Sequence, residues 1–123
     1  MNALNYYLEA GIVYFKSKDI VSLDDMKGII DYAIEDDELP RELLVLEDAR
    51  HATATFGKDD LETMVGYLKE KLSSRFVSIR HAVLHHSPLY TAFSYIVIHK
   101  FNDEFYSLNV FSSEKAALKW LRK

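Results

Sequence analysis

Two short runs of aromatic and β-branched residues, 6–8 and 12–15, open the chain on either side of Glu9-Ala10-Gly11. They predict a hairpin at the start of a sheet, with the Gly-containing break as its turn. Leu23, Met26, Ile29, Ile30, Ala33 and Ile34 then recur three and four apart, which gives one apolar face to a helix. Ser22 is placed to cap it, and Asp24 and Asp25 lie in the first turn, where the helix dipole favours negative charge. The acidic run 35–38 ends this helix, and Pro40 forbids its continuation.

Leu43-Leu44-Val45-Leu46 is an unbroken apolar run of strand length, the pattern of a strand covered on both faces. A second helix is predicted from about Asp59, with Glu62 three residues on as a capping pair and Leu61, Met64, Val65, Leu68 and Leu72 as its buried stripe. Residues 76–86 read as a strand with Val77, Ile79 and Val83 on one face and Phe76, Ala82 and Leu84 on the other. Ser87-Pro88 is a helix-start signal, followed by Leu89, Ala92, Phe93, Ile96 and Val97 at helical spacing. The Tyr, Ile and Val content leaves 95–99 open to a strand reading as well. Residues 105–111 predict a strand, and Ser112 is placed to cap a last helix whose core face is Ala116, Ala117, Trp120 and Leu121. The summed order is ββαβαβαβα: an α/β fold, one domain over residues 1–123, with a mixed sheet and flanking helices.

Composition narrows the function. The 123 residues contain no cysteine, 49% hydrophobic and 28% charged residues, and carry a net charge of -4. A reduced, cytoplasmic globule fits these values. A general nucleic-acid binder does not fit the negative charge. No run of eighteen apolar residues occurs, and the first five residues do not resemble a basic leader, so neither a membrane span nor a secretion signal is expected. Charge is polarised: residues 19–48 hold eleven acids against Lys27 and Arg41, for -9, while residues 75–123 hold seven basic residues against three acids, for +4. Such polarity can orient a charged partner during encounter; it also describes a solvated acidic helix and loop.

Reactive motifs are scarce. Gly11, Gly28, Gly57 and Gly66 stand apart, so no glycine-rich phosphate cradle forms, and Asp59 and Asp60 would repel a phosphate after Gly57. There is no cysteine nucleophile and no serine elbow. The acidic residues crowd the first helix and its exit, and no carboxylate pair has a setting that would make it a general acid. His81 and His85 point the same way on a strand, and with His86 or His99 nearby three imidazoles could bind a transition metal. No carboxylate is expected to match them, and four strand residues span on the order of 13 Å, so hydrogen-bonded or solvent-facing histidines are expected rather than metal ligands. No cofactor is expected. The helix after Ser87 also carries Tyr90, Tyr95, Ile98 and Phe101, and is therefore apolar around most of its circumference. Such a helix is covered by its own chain, by a second copy, by a partner or by an apolar ligand.

The opening hairpin, the stretch Ile20-Val21-Ser22-Leu23-Asp24-Asp25, the strand and loop over 43–50 and the closing Val110-Phe111-Ser112-Ser113-Glu114-Lys115-Ala116-Ala117-Leu118-Lys119-Trp120-Leu121 resemble the SpoIIAA-like family, whose fold is that of the STAS domains. That resemblance implies the fold, which CRAL-TRIO lipid-binding domains share, and a non-enzymatic role in recognition. In signalling members of the STAS group a serine at the start of the second helix is phosphorylated. The matching stretch here, 53–60, has no serine, and only Thr53 or Thr55 could substitute.

Three functions remain open on this reading. The first is a non-enzymatic module for protein contacts in intracellular regulation. Its contact loop would run over 50–57, with Arg50, Thr53, Thr55 and Gly57, and Tyr90 and its helix would form a second surface or a homodimer face. The second is an apolar-ligand or lipid binder with a pocket beside the 90–101 helix. The third is an enzyme built on the histidines.

Overall fold

Ala10 and Gly11 both have left-handed backbone, with φ of 52° and 79°. A two-residue hairpin whose turn twists in this sense matches the right-handed twist of its strands. It joins β1 (Tyr6–Glu9) to β2 (Ile12–Val21) as an antiparallel pair with Glu9 opposite Ile12. The molecule is seen in a computed structural model, which describes residues 6–54, 57–87, 91–92, 95–96, 99–100 and 102–123. After β2 come α1 (Leu23–Glu35), β3 (Glu42–Ala54), α2 (Lys58–Leu72), β4 (Ser78–Leu84), β5 (Tyr106–Phe111) and α3 (Glu114–Leu121). Thr91, Ala92, Tyr95, Ile96, His99 and Lys100 are helical, at the place where the sequence order puts a helix between β4 and β5. The α/β architecture and element order expected from the sequence are thus present.

The five strands lie in sequence order, and β2, β3, β4 and β5 are parallel. Parallel neighbours require crossovers, and the crossovers carry the helices over the sheet. On one face α1 and α2 cover Val13, Leu43, Val45, Ile79, Val83 and Leu108. On the other, Ala117 and Leu121 of α3 pack on Ile12, Leu46, Ala82 and Leu84. Ser22 caps α1 as expected: its Oγ accepts from Asp25 N–H at 3.1 Å, and the Asp25 carboxylate accepts from Ser22 N–H at 3.0 Å.

Several local expectations are corrected. Helix α2 is closed by Asp60, whose carboxylate accepts from the Gly57 N–H at 3.1 Å, and not by an Asp59–Glu62 pair. The cap of α3 is Ser113, one residue later than expected, and Ala116 faces solvent. Phe76 and Val77 precede β4 in a turn, so strand alternation does not govern them. Phe76 joins the α1–α2 core, while Val77 is 56% exposed. The largest difference is β3, which continues for eight residues beyond Leu46. Its pairing with β4 ends at Asp48–Leu84, yet pairing with β2 resumes at His51–Lys18 and continues to Ala54–Val21. Parallel pairing with β2 holds an extended chain there that apolar content alone does not reveal.

Two polar fasteners shape the frame. Arg75 Nη2 donates to the backbone carbonyls of Asp36 (3.1 Å) and Leu39 (2.7 Å), fixing the end of α2 to the α1–β3 connection. Arg80 stacks over Trp120 and donates to the Trp120 and Leu121 carbonyls at the C-terminus of α3, where the helix dipole favours a cation. No helix among the described residues is long and apolar enough to cross a membrane.

Candidate functional site

Alternation along β3 turns Leu43, Val45, Glu47 and Ala49 toward α1 and α2. Glu47 is therefore an acid on a buried apolar face, only 4% exposed. The neighbouring strands each bring one polar side chain to the same face. These are Ser17 of β2, beside an irregularity in the β2–β3 register, His81 of β4 and Tyr106 of β5. Together they form a polar row across the sheet. Ser17 Oγ donates to Glu47 Oε2 at 2.9 Å, His81 Nε2 lies 2.8 Å from Glu47 Oε1, and Tyr106 Oη lies 3.1 Å from His81 Nδ1.

The direction of the protons follows from burial. The Tyr106 hydroxyl is fully buried, and His81 Nδ1 is its acceptor among the described residues. If Nδ1 carried a hydrogen, the phenol hydrogen would be left without a partner, at a cost of about 1–3 kcal/mol. The row is fully satisfied when Tyr106 donates to Nδ1, His81 carries its hydrogen on Nε2, and the Glu47 carboxylate accepts at both oxygens. Burial raises the Tyr106 pKa well above that of a free phenol, and the negative charge of Glu47 adds to the shift.

Above this row lies a cavity of about 90 Å³ between α1, α2 and the sheet. Its wall is largely apolar, with Met26, Ile30 and Ala33 from α1 and Met64 and Leu68 from α2, while Ser17, Glu47, His81 and Tyr106 form its floor. Tyr6, Phe15, Met26 and Ile29 line it and are half-buried, so the cavity reaches the surface between the hairpin and α1. The Tyr6 hydroxyl donates to Asp36 Oδ2 at 2.6 Å. Burial first, and this hydrogen bond second, push the Tyr6 pKa up.

The carboxylate that His81 was expected to lack is thus Glu47. The two are thirty-four residues apart, and only the parallel register of β3 and β4 sets Val45 opposite His81 and brings Glu47 within reach. His85 is buried as well. Its Nδ1 accepts from Ser87 N–H at 2.8 Å, and burial lowers its pKa against the opposing pull of a backbone hydrogen bond with Ala52. His86 and His99 are exposed.

The residues expected to meet a partner are dispersed differently from the expectation. Arg50 and Thr53 belong to β3 rather than to a loop, and both are exposed. Arg50 grips Asp48 through Nε (2.9 Å) and Nη2 (2.8 Å), which lowers the Asp48 carboxyl to a pKa of about 2. Gly57 is the N-cap of α2, and its N–H is taken by Asp60. Thr55 and Tyr90 lie outside the described residues. This cavity lies beneath α1, and no described residue of the 90–101 segment lines it; Tyr95, Ile96, His99 and Lys100 line a separate, open surface depression. Tyr95, at that segment, is 59% exposed.

Sequence reading overlooked Ser17, Glu47 and Tyr106. Reading 43–49 as alternating rather than as one apolar run followed by a polar loop would have marked Glu47 as an acid on a core face.

No family model matches the chain, and no curated protein matches it. Among solved structures the chain is similar to an uncharacterised protein of the DUF3478 family with a SpoIIAA-like fold from Shewanella loihica PV-4. The TM-score is 0.60 at 17% identity, over 97% of this chain and 92% of that one. The chain therefore has the SpoIIAA-like fold that its sequence resembles.

Proposed function

We propose that this protein is a non-catalytic binding module whose ligand is a small, largely apolar molecule held in the cavity beneath α1. The cavity carries this reading. Protein interiors pack with few voids larger than a water molecule, so a largely apolar cavity of about 90 Å³ is space in which a guest gains apolar contact. Met26 and Met64 in the wall have flexible side chains that adapt to a guest. The Ser17 hydroxyl donates to Glu47 and not to His81, so the row lacks the serine–histidine contact of a nucleophilic triad.

The reading is tested by thermal shift and by ¹⁵N-resolved NMR titration with isobutane and other branched apolar compounds of about four or five non-hydrogen atoms. Binding raises the melting temperature and moves amide signals of β2, β3 and α1. Ala33→Leu, which grows a side chain into the cavity, is expected to stabilise the free protein by about 1 kcal/mol and to abolish that binding. A wild-type protein that binds none of these probes overturns the proposal.

A second reading, protein contact, is favoured by the overhang of β3. Residues 51–54 pair with β2 and extend past the last β3–β4 pair, and Arg50, Thr53 and Gly57 are exposed there. A partner protein or a second copy of the chain would dock at this end of the sheet, in the manner of strand addition to a sheet edge. Thr53→Pro, which removes a strand N–H donor, would weaken self-association measured by sedimentation. A wild-type chain that sediments as a monomer and retains no partner in pull-down removes this reading.

A further inference from the structure

We propose that the cavity selects ligands whose polar end is a hydrogen-bond donor, and that a small branched primary amine, bound as the ammonium ion against Glu47, is its preferred chemical class. The inference rests on the binding reading above and adds the identity of the head group.

The selection follows from counting donors and acceptors around the cavity. Every side-chain donor in its polar wall is already committed. Ser17 O–H goes to Glu47 Oε2, His81 Nε2–H to Glu47 Oε1, Tyr106 O–H to His81 Nδ1, and Tyr6 O–H to Asp36 Oδ2. Acceptor sites remain. A carboxylate offers about four lone-pair sites and a hydroxyl two, so Glu47, with two donors bound among the described residues, and Ser17, with none among them, can each accept more from a guest. A ligand ending in a carboxylate or phosphate would meet no free donor and would face the charge of Glu47 in a poorly solvated space. An alcohol offers one hydrogen to these acceptors. An alkylammonium offers three and also brings the opposite charge, which a buried carboxylate needs in order to be paired. The apolar remainder of the wall takes the carbon skeleton.

Size limits the skeleton. A cavity of 150 Å³ accommodates benzene, so about 90 Å³ takes a guest of about four or five non-hydrogen atoms. Polyamines with a second charge, and long lipid chains, exceed what the apolar wall can hold. A phosphate-bearing headgroup is excluded by charge.

The test compares isobutylamine, isobutanol and propionate with isobutane as an apolar control, each titrated into the ¹⁵N-labelled full chain at pH 7.5. Isobutylamine is expected to bind at least tenfold more tightly than isobutanol, with propionate not binding and shifts centred on Ser17, Glu47 and His81. In Glu47→Gln, which introduces an amide donor and removes the charge, the amine preference is expected to disappear. Isobutane binding without amine or alcohol binding overturns the donor-head proposal while leaving the cavity reading intact, whereas failure of all four probes overturns both. Propionate binding best also overturns it. The wild-type ranking decides the matter even if Glu47→Gln does not fold.

Discussion

Glu47 and His81 meet on adjacent parallel strands, with Oε1 2.8 Å from Nε2, and both face the same cavity beneath α1. A buried carboxylate is expensive unless its oxygens are satisfied. Here His81 satisfies one and Ser17 the other. The pair therefore serves the fold as well as the site.

Removing both should cost less than the sum of the two single losses. Glu47→Ala leaves His81 Nε2–H and the Ser17 hydroxyl facing an apolar space, with an expected loss of about 3 kcal/mol. The Glu47→Ala/His81→Ala double mutant should then show a coupling of about 1–3 kcal/mol. Urea denaturation of the four proteins in the cycle measures it. Additive losses would show that the two residues do not act as a pair.

Alkaline stability should report on Tyr106. Its folded pKa is raised, chiefly by burial, so its contribution is fully present below the ordinary tyrosine pKa of about 10 and is lost as pH rises above it. Between pH 9 and 11.5 the wild-type urea midpoint should fall more steeply than that of Tyr106→Phe. At pH 7.5 the same variant should be less stable by about 1 kcal/mol, because the hydrogen bond to His81 is gone.

On the acid side Asp48 and His85 act in separate windows. Asp48, lowered to about 2 by the Arg50 side chain, contributes stability above the ordinary aspartate pKa of about 4 that is lost between about 4 and 2. Asp48→Asn should flatten that limb of the stability curve. The His85 pKa is lowered by burial. Its neutral form is favoured in the fold, so stability is present above about pH 6.5 and falls as pH drops below it. His85→Asn keeps an acceptor for the Ser87 N–H and should show a smaller loss of melting temperature between pH 7.5 and 5.5 than the wild type.

The hairpin offers a gain. Ala10 holds φ of 52°, a conformation that L-residues with a Cβ populate at a cost of roughly 1–2 kcal/mol. Asn tolerates it better. Ala10→Asn should raise stability by about 0.5–1 kcal/mol in urea unfolding, with no change at the cavity. An unchanged or lower midpoint would show that the turn relaxes around alanine.

Local sequence determined a good part of this protein. The Leu23–Ile34 stripe with its Ser22 cap, the apolar core of β3, the Glu9-Ala10-Gly11 turn and the closing helix through Trp120 and Leu121 are legible because hydrogen bonding and side-chain periodicity within a few residues specify them. What the tertiary structure alone decided is the meeting of Ser17, Glu47, His81 and Tyr106. Those four positions span ninety residues of chain and carry no common spacing. Their neighbourhood depends on the order of four parallel strands and on the register of each pair, which fix which residues share a face at which height. A cavity has no local signature at all, since it is the volume that α1, α2 and the sheet together fail to fill.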